Sequence, residues 1–306
     1  MFLNTNSKFI WLNGNFQPFD ETNVHLLSNT LHYGMGVFEG VRAYETDEGG
    51  AIFRLYDHTK RLFEAASKVN ITIPYSIKEL CDAQKESMSK NNLLEGYIRP
   101  IVFLGSESMG LRSQDLLSVN VAIACWEWPS YMDPDAKKNG ISVIKSPYQQ
   151  YDNPLYSNNK IIGTYVNSIM AVNDAIAKGA EEAILMDKNG HISEGSGENL
   201  FIVKNSRLMT PTTNFCLNGI TRQSVISIAN DLNYEIEEKD LIFEDLLDAD
   251  EAFYSGTAVE ITPITKVNES IIGSGSIGPI TDILQKKYSE IVCGQDKNYS
   301  DWLTAI

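Results

Sequence analysis

Strand-forming runs in this chain come in clusters joined by tight-turn signals, and helical runs fall between the clusters. Ile10-Trp11-Leu12-Asn13-Gly14-Asn15-Phe16 predicts a hairpin, because Asn-Gly tolerates the left-handed backbone of a two-residue turn. Further strands are expected over 36–44, 51–53, 97–104 and 119–126. Asp57 can start a helix running to about residue 69, with Arg61, Leu62, Ala65 and Val69 at helical spacing. Ser76 can cap a second helix ending near Lys90. Pro129-Ser130-Tyr131-Met132-Asp133-Pro134-Asp135 then breaks the pattern, as a linker would. This predicts a small N-terminal α+β domain over 1–128, a linker over 129–136 and a large C-terminal α+β domain over 137–306. In the second domain a strand is expected over 141–145 and a helix over 164–178, stopped by Gly179. Asp187-Lys188-Asn189-Gly190 signals a hairpin between 182–186 and 191–193, and 200–203 pairs with 207–209 in another. A helix over 221–232, strands over 234–237 and 251–254, and a helix over 281–291 complete the reading. Strands that cluster favour α+β over a doubly wound sheet.

Composition narrows the function. Hydrophobic residues make up 43% of the 306, enough for a sizeable core. The net charge of −15 argues against nucleic acid, whose binding needs a basic face, and against anionic lipid. Cys81, Cys125, Cys216 and Cys293 are widely spaced, which suits reduced thiols in a cytoplasm. No secretory signal is visible at the start, and no apolar run reaches the roughly 18 residues of a membrane span. His25, His32, His58 and His191 have no metal-binding company, so no metal site is expected. Gly273-Ser274-Gly275-Ser276-Ile277-Gly278 fits a dinucleotide fingerprint, but Pro279 follows and too little chain remains for a βαβ unit.

Six groups carry candidate chemistry. Lys160 lies among asparagines after Pro154; it is either a solvated loop residue or a lysine activated for Schiff-base chemistry. Glu194 sits in Ser193-Glu194-Gly195-Ser196-Gly197-Glu198, where two glycines let backbone approach a flat ligand closely. It is either a turn residue or an acid partner for a ring nitrogen, and Glu198 competes with it. Asn218-Gly219-Ile220-Thr221-Arg222 opens a helix, whose N–H groups suit a phosphate or are simply capped. Ser255-Gly256-Thr257-Ala258 is a second small-residue turn, and Arg61 offers a charge for the same anion or a surface side chain. Tyr97 and Arg99 fall on one side of a strand and invite a carboxylate, unless they mark an edge. Tyr33, Phe38, Trp128, Tyr131 and Tyr165 are core residues or the wall of an apolar site. A lysine, a carboxylate and two anion-friendly turns together suggest pyridoxal-phosphate chemistry, which needs an amine, an acid and phosphate donors.

Nearly end to end, the chain resembles the branched-chain amino acid aminotransferases of fold type IV, which share the D-amino acid aminotransferase-like fold. The residues that carry the resemblance are Leu31-His32-Tyr33-Gly34, Val37-Phe38-Glu39-Gly40-Val41-Arg42, Tyr97-Ile98-Arg99-Pro100, Ile192 to Phe201, Gly219-Ile220-Thr221-Arg222 and Ser255 to Pro263. The resemblance implies two α+β domains, pyridoxal 5′-phosphate as cofactor, and at least a homodimer. It implies Lys160 as the catalytic Schiff-base lysine, Glu194 on the pyridine nitrogen and Tyr165 on the ring hydroxyl. Arg61, Ile220, Thr221 and Thr257 would hold the phosphate. Tyr97, Thr257 and Ala258 would hold the substrate α-carboxylate, and Arg99 the distal carboxylate of glutamate. Phe38, Trp128, Tyr131 and Tyr165 would face the apolar side chain, with Tyr33 and Leu111 supplied by a second subunit. The implied reaction moves an amino group between leucine, isoleucine or valine and 2-oxoglutarate. Rival readings are a D-amino acid aminotransferase or an aminodeoxychorismate lyase on the same fold, or a non-catalytic binding protein. Family members often carry Gly-Asn-Tyr after the lysine, where this chain has Ile161-Ile162-Gly163-Thr164-Tyr165.

Overall fold

The computed structural model describes residues 7–112, 114–128 and 135–306. Most of the expected linker, 129–134, lies outside the described residues. Contacts divide the chain into two compact units. The first holds the described residues of Met1–Pro129 together with Lys160–Gly163 and Ile291–Ile306; the second holds those of Ser130–Asn159 and Thr164–Glu290.

The first unit is built on an antiparallel sheet of eight strands. They are β1 (Phe9–Leu12), β2 (Asn15–Pro18), β3 (Gly36–Phe38), β4 (Val41–Thr46), β5 (Gly49–Phe53), β6 (Gly96–Leu104), β7 (Val119–Trp126) and, at the chain's end, β17 (Leu303–Ala305). The order is β17-β5-β4-β6-β7-β1-β2, with β3 also paired to β6. Asn13 and Gly14 take positive φ of 50° and 90°, the backbone that the β1–β2 hairpin turn requires. The helix Leu55–Lys68 follows β5, and the helix Ile77–Lys90 starts on a capping box between Ser76 and Glu79. Their inward faces bury Leu55, Leu62, Leu80 and Met88, while the sheet contributes Ile52, Ile98 and Ile123.

One expected strand is divided. The sequence predicts a single strand over 36–44, but β3 ends at Phe38 and β4 begins at Val41. The break faces Pro100 of β6, whose carbonyl accepts the Glu39 N–H at 2.9 Å. Proline has no N–H to return the bond, so the ladder lapses there. Glu39 and Gly40 are thereby released to make other contacts.

The second unit holds a mixed sheet of nine strands. These are β8 (Ile141–Gln149), β9 (Glu182–Met186), β10 (Ile192–Glu194), β11 (Asn199–Lys204), β12 (Arg207–Thr210), β13 (Ile236–Glu238), β14 (Glu251–Gly256), β15 (Glu260–Val267) and β16 (Ser270–Ile271). The order is β10-β9-β8-β15-β14-β11-β12-β13, with β16 beside β15. Strands β8 and β9 run parallel because the helix Tyr165–Ala177 connects them. That helix lays Ala171 and Ala175 on Ala183 and Leu185. Val143, Ile184, Leu200, Ile202, Tyr254 and Ile264 belong to another buried cluster of this unit.

Candidate active site

The short segment carrying Lys160 is stitched into the first unit. The Phe38 N–H donates to the Lys160 carbonyl at 3.1 Å, Val37 and Ile161 form an antiparallel bridge, and the Gly163 N–H donates to the Gly34 carbonyl at 3.0 Å. A Cβ on Gly34 would lie 2.6 Å from the Gly163 Cα, and Gly34 has φ of 69°, so glycine is needed there twice over. Ile161 is buried, and Ile162 packs so tightly on Gly36 that a Cβ there would meet its Cδ1 at 2.7 Å. The isoleucines that depart from the family pattern are therefore the residues that seat the lysine segment against β3.

Phe38 is the meeting point of two cations. The Lys160 Nζ lies 5.5 Å from its ring centre and the Arg99 guanidinium 4.7 Å. Arg99 also faces Tyr97 at 5.3 Å and Trp126 at 5.9 Å. Its Nη2 lies 3.4 Å from the Tyr97 hydroxyl, and its Nε is buried with no hydrogen-bond partner among the described residues. Trp128 meets Tyr97 edge-on at 4.5 Å. The strand bearing Tyr97 and Arg99 is central, flanked by β4 and β7, so the edge reading is set aside. Trp126 escaped the sequence reading of candidates. It stands opposite Tyr97 in the β6–β7 register, and its place at the end of an expected strand was the available signal.

Arg61 is not a surface residue. Its Nε and Nη2 donate to Glu39 at 2.6 and 2.9 Å, and His58 Nδ1 approaches the same carboxylate at 2.9 Å. Glu39 and His58 are each 1% exposed. Burial alone would raise the Glu39 pKa; Arg61 and His58 outweigh it and hold the carboxyl well below the ordinary range. Burial lowers His58, which keeps its ring neutral. The sequence reading placed no role on Glu39 or His58. A charged residue between Phe38 and Gly40, inside an otherwise apolar strand pattern, was the clue.

In the second unit, β10 ends on Glu194, which is buried. Its carboxylate accepts from Gln150 Nε2 at 2.5 Å and from the Leu217 N–H at 3.2 Å. Leu217 opens the turn into the helix Ile220–Asp231, whose N-cap, Gly219, provides no side-chain cap. Ile220 and Thr221 are buried at that start. Asn199 fixes the turn: its Nδ2 donates to the Leu217 carbonyl at 2.8 Å, and its Oδ1 would lie 2.1 Å from any Cβ on Gly219. Asn199 also pairs with Ser255 across β11 and β14, so the Thr257–Ala258 turn emerges at the same end of the sheet. The Ser255 hydroxyl is buried there without a partner among the described residues. Tyr165 begins the helix after the lysine segment and is half-buried. Glu198 turns its carboxylate to the Gly197 N–H at 3.0 Å.

The first unit thus gathers Lys160, Phe38, Tyr97, Arg99 and Trp128, and ties Arg61 in through Glu39. The second gathers Glu194, Ile220, Thr221, Thr257 and Ala258. Tyr33 and Leu111 stand at 44% and 86% exposure. Tyr131 lies outside the described residues.

A family model described as amino-transferase class IV matches residues 36–267. The branched-chain-amino-acid aminotransferase of Pseudomonas aeruginosa is 45% identical over 298 residues, covering 97% of each chain. The Escherichia coli enzyme of that name is 38% identical over 300 residues, again covering 97% of each. The chain belongs to the branched-chain amino acid aminotransferases. Among solved structures of this family, that of the T.th. enzyme complexed with N-(5′-phosphopyridoxyl)-L-glutamate has a TM-score of 0.93 and 40% identity. It covers 97% of this chain and 98% of that one. The α+β, fold type IV expectation holds for this branched-chain aminotransferase.

Proposed function

We propose that this chain catalyses reversible amino transfer between L-leucine, L-isoleucine or L-valine and 2-oxoglutarate, giving branched-chain 2-oxo acids and L-glutamate. The observation that carries the reading is the pair of cations on Phe38, an amine and a half-buried guanidinium among aromatic rings. One such site accepts an apolar side chain on the rings and a carboxylate on Arg99. The unmet Nε of Arg99 suits that second substrate, since a buried N–H without an acceptor costs stability until one arrives.

The residues also fit pyridoxal 5′-phosphate. Lys160 supplies the amine and Glu194 a carboxylate fixed by two donors. The uncapped start at Ile220 and Thr221, the spare Ser255 hydroxyl and the Thr257 turn supply phosphate donors. When bound, the cofactor supplies an aldehyde for the amino group and a protonated ring that draws electron density from the substrate α-carbon. Glu194 holds the proton on the pyridine nitrogen, and Tyr165 donates to the ring hydroxyl. Lys160 Nζ would hold and move the proton at the substrate α-carbon. Arg61, Ile220, Thr221 and Thr257 hold the phosphate. Tyr97, Thr257 and Ala258 orient the α-carboxylate, and Phe38, Trp128, Tyr131 and Tyr165 face the aliphatic side chain.

The working unit is a homodimer or larger, with Tyr33 and Leu111 reaching a second copy; their exposure supports this. A cytoplasmic setting is supported by the wide spacing of the four cysteines in the sequence. Among the described residues no helix is long and apolar enough to cross a membrane.

Lys160→Ala tests the reading. Transamination of leucine with 2-oxoglutarate should vanish while the fold, followed by circular dichroism, persists. Borohydride reduction of the wild-type protein with cofactor should mark the peptide containing Lys160. Full activity in the variant, or a label on another lysine, would overturn the assignment.

A further inference from the structure

We propose that Glu39 and His58 are positioning residues that aim Arg61 at the cofactor phosphate. The inference rests on the reading above that Arg61 meets that phosphate. Glu39 takes Nε and Nη2, one whole edge of the guanidinium, so the plane of the fork is fixed rather than free to swing. His58 precedes Arg61 by one helical turn and places Nδ1 on the Glu39 Oε2, the oxygen that also accepts from Nη2. A third donor, the Gly40 N–H, approaches Oε2 at 3.3 Å. The carboxylate is therefore locked from several sides, and Arg61 inherits that rigidity.

The neighbours of Glu39 explain why the lock matters. Phe38 bears the Lys160 and Arg99 cations, and Gly40 lies so close to Tyr97 that a Cβ would fall 1.7 Å from its hydroxyl. Three consecutive residues at the β3–β4 break thus align an amine, two guanidinium groups and a tyrosine. A cation as little exposed as Arg61, at 16% of its side chain, also gains from a counter-charge before any phosphate arrives, and Glu39 provides one.

The test compares affinity for pyridoxal 5′-phosphate with affinity for pyridoxal, which lacks the phosphate, by absorbance titration of cofactor-stripped protein. In Glu39→Gln the phosphate form should bind roughly tenfold more weakly, with pyridoxal unchanged, the scale expected when one charge-assisted bond is lost. Glu39→Gln in an Arg61→Gln background should add no further loss. Equal weakening of both ligands would mean a purely structural ion pair and would overturn the inference. If Arg61→Gln itself leaves the phosphate advantage intact, the role of Arg61 fails. If Arg61→Gln removes that advantage and folded Glu39→Gln keeps it, only the positioning inference fails. Should Glu39→Gln not fold, His58→Leu decides: a selective loss of the phosphate form supports the inference, and an unchanged ratio overturns it.

Discussion

Glu39 in the first unit and Glu182 in the second are both carboxylates shut off from water, at 1% and 0% exposure. Burial pushes each toward its protonated form. Glu39 then meets Arg61 and His58 and ends well below the ordinary carboxylate range. Among the described residues Glu182 meets only neutral donors, the Ala183 N–H at 2.6 Å and the Ser196 hydroxyl at 2.9 Å, and its pKa stays raised by burial. Neutral hydrogen bonds soften the loss of hydration; a neighbouring cation reverses its effect. Glu39 is therefore buried as a paired charge, and Glu182 as a carboxyl that favours its proton.

The largest expected effect breaks the comparison by removing each acid. Glu39→Leu takes the bidentate counter-charge away from the largely buried Arg61, which should cost about 3–5 kcal/mol. Glu182→Gln keeps shape and hydrogen bonds while discarding only an ionisation the site disfavours, so its cost should stay within about 1 kcal/mol. Denaturant unfolding of the cofactor-free protein measures both, free of ligand linkage. Equal losses would show that the two carboxylates do the same work.

The acid and alkaline arms of the stability profile separate them next. The folded-state pKa of Glu39 is depressed, so its stability is present above the unfolded value and is lost as pH falls through the folded one. His58 is depressed too and adds to the loss on the acid side. Glu182 is raised, so its contribution is full below the unfolded value and disappears as pH rises through the folded one. Melting temperature against pH should therefore flatten on the acid side in Glu39→Gln and on the higher-pH side in Glu182→Gln. A flattening on the same side in both variants would contradict the assigned directions.

Periodicity and turn chemistry made much of this architecture readable. The capping box at Ser76 and Glu79 and the Asn13-Gly14 turn are local devices, and the expected elements lie where they predict. Glu194 was legible as a candidate because flanking glycines mark a close backbone approach, and Ile220 because a helix start offers free N–H groups. What the sequence hid depends on register and long-range contact. Trp126 matters only because β7 sets it opposite Tyr97. Gln150 matters because it reaches Glu194, 44 residues away. The grouping of Lys160–Gly163 with the first unit has no local signature, since it is made by bonds to Gly34 and Phe38. The lapse between β3 and β4 arises from Pro100 in another strand, so the run 36–44 could not reveal it alone.

The smallest effect isolates burial as the cause of the contrast. Glu79, at the start of the helix Ile77–Lys90, accepts from the Ser76 N–H and hydroxyl, each at 2.7 Å. These are the donor types that serve Glu182, yet the Glu79 pKa is lowered, first by the Ser76 backbone bond and then by its side chain. The difference is solvent: Glu79 is exposed, so the donors outweigh the small desolvation cost that remains. Ser76→Ala removes one donor and leaves the other, so the Glu79 titration, followed by NMR, should move part of the way back to the ordinary range. Ser196→Ala should push Glu182 further up instead of back toward normal. If both carboxyls moved toward their ordinary values, hydrogen bonding rather than burial would be governing Glu182, and its pairing with Glu39 as opposites would no longer stand.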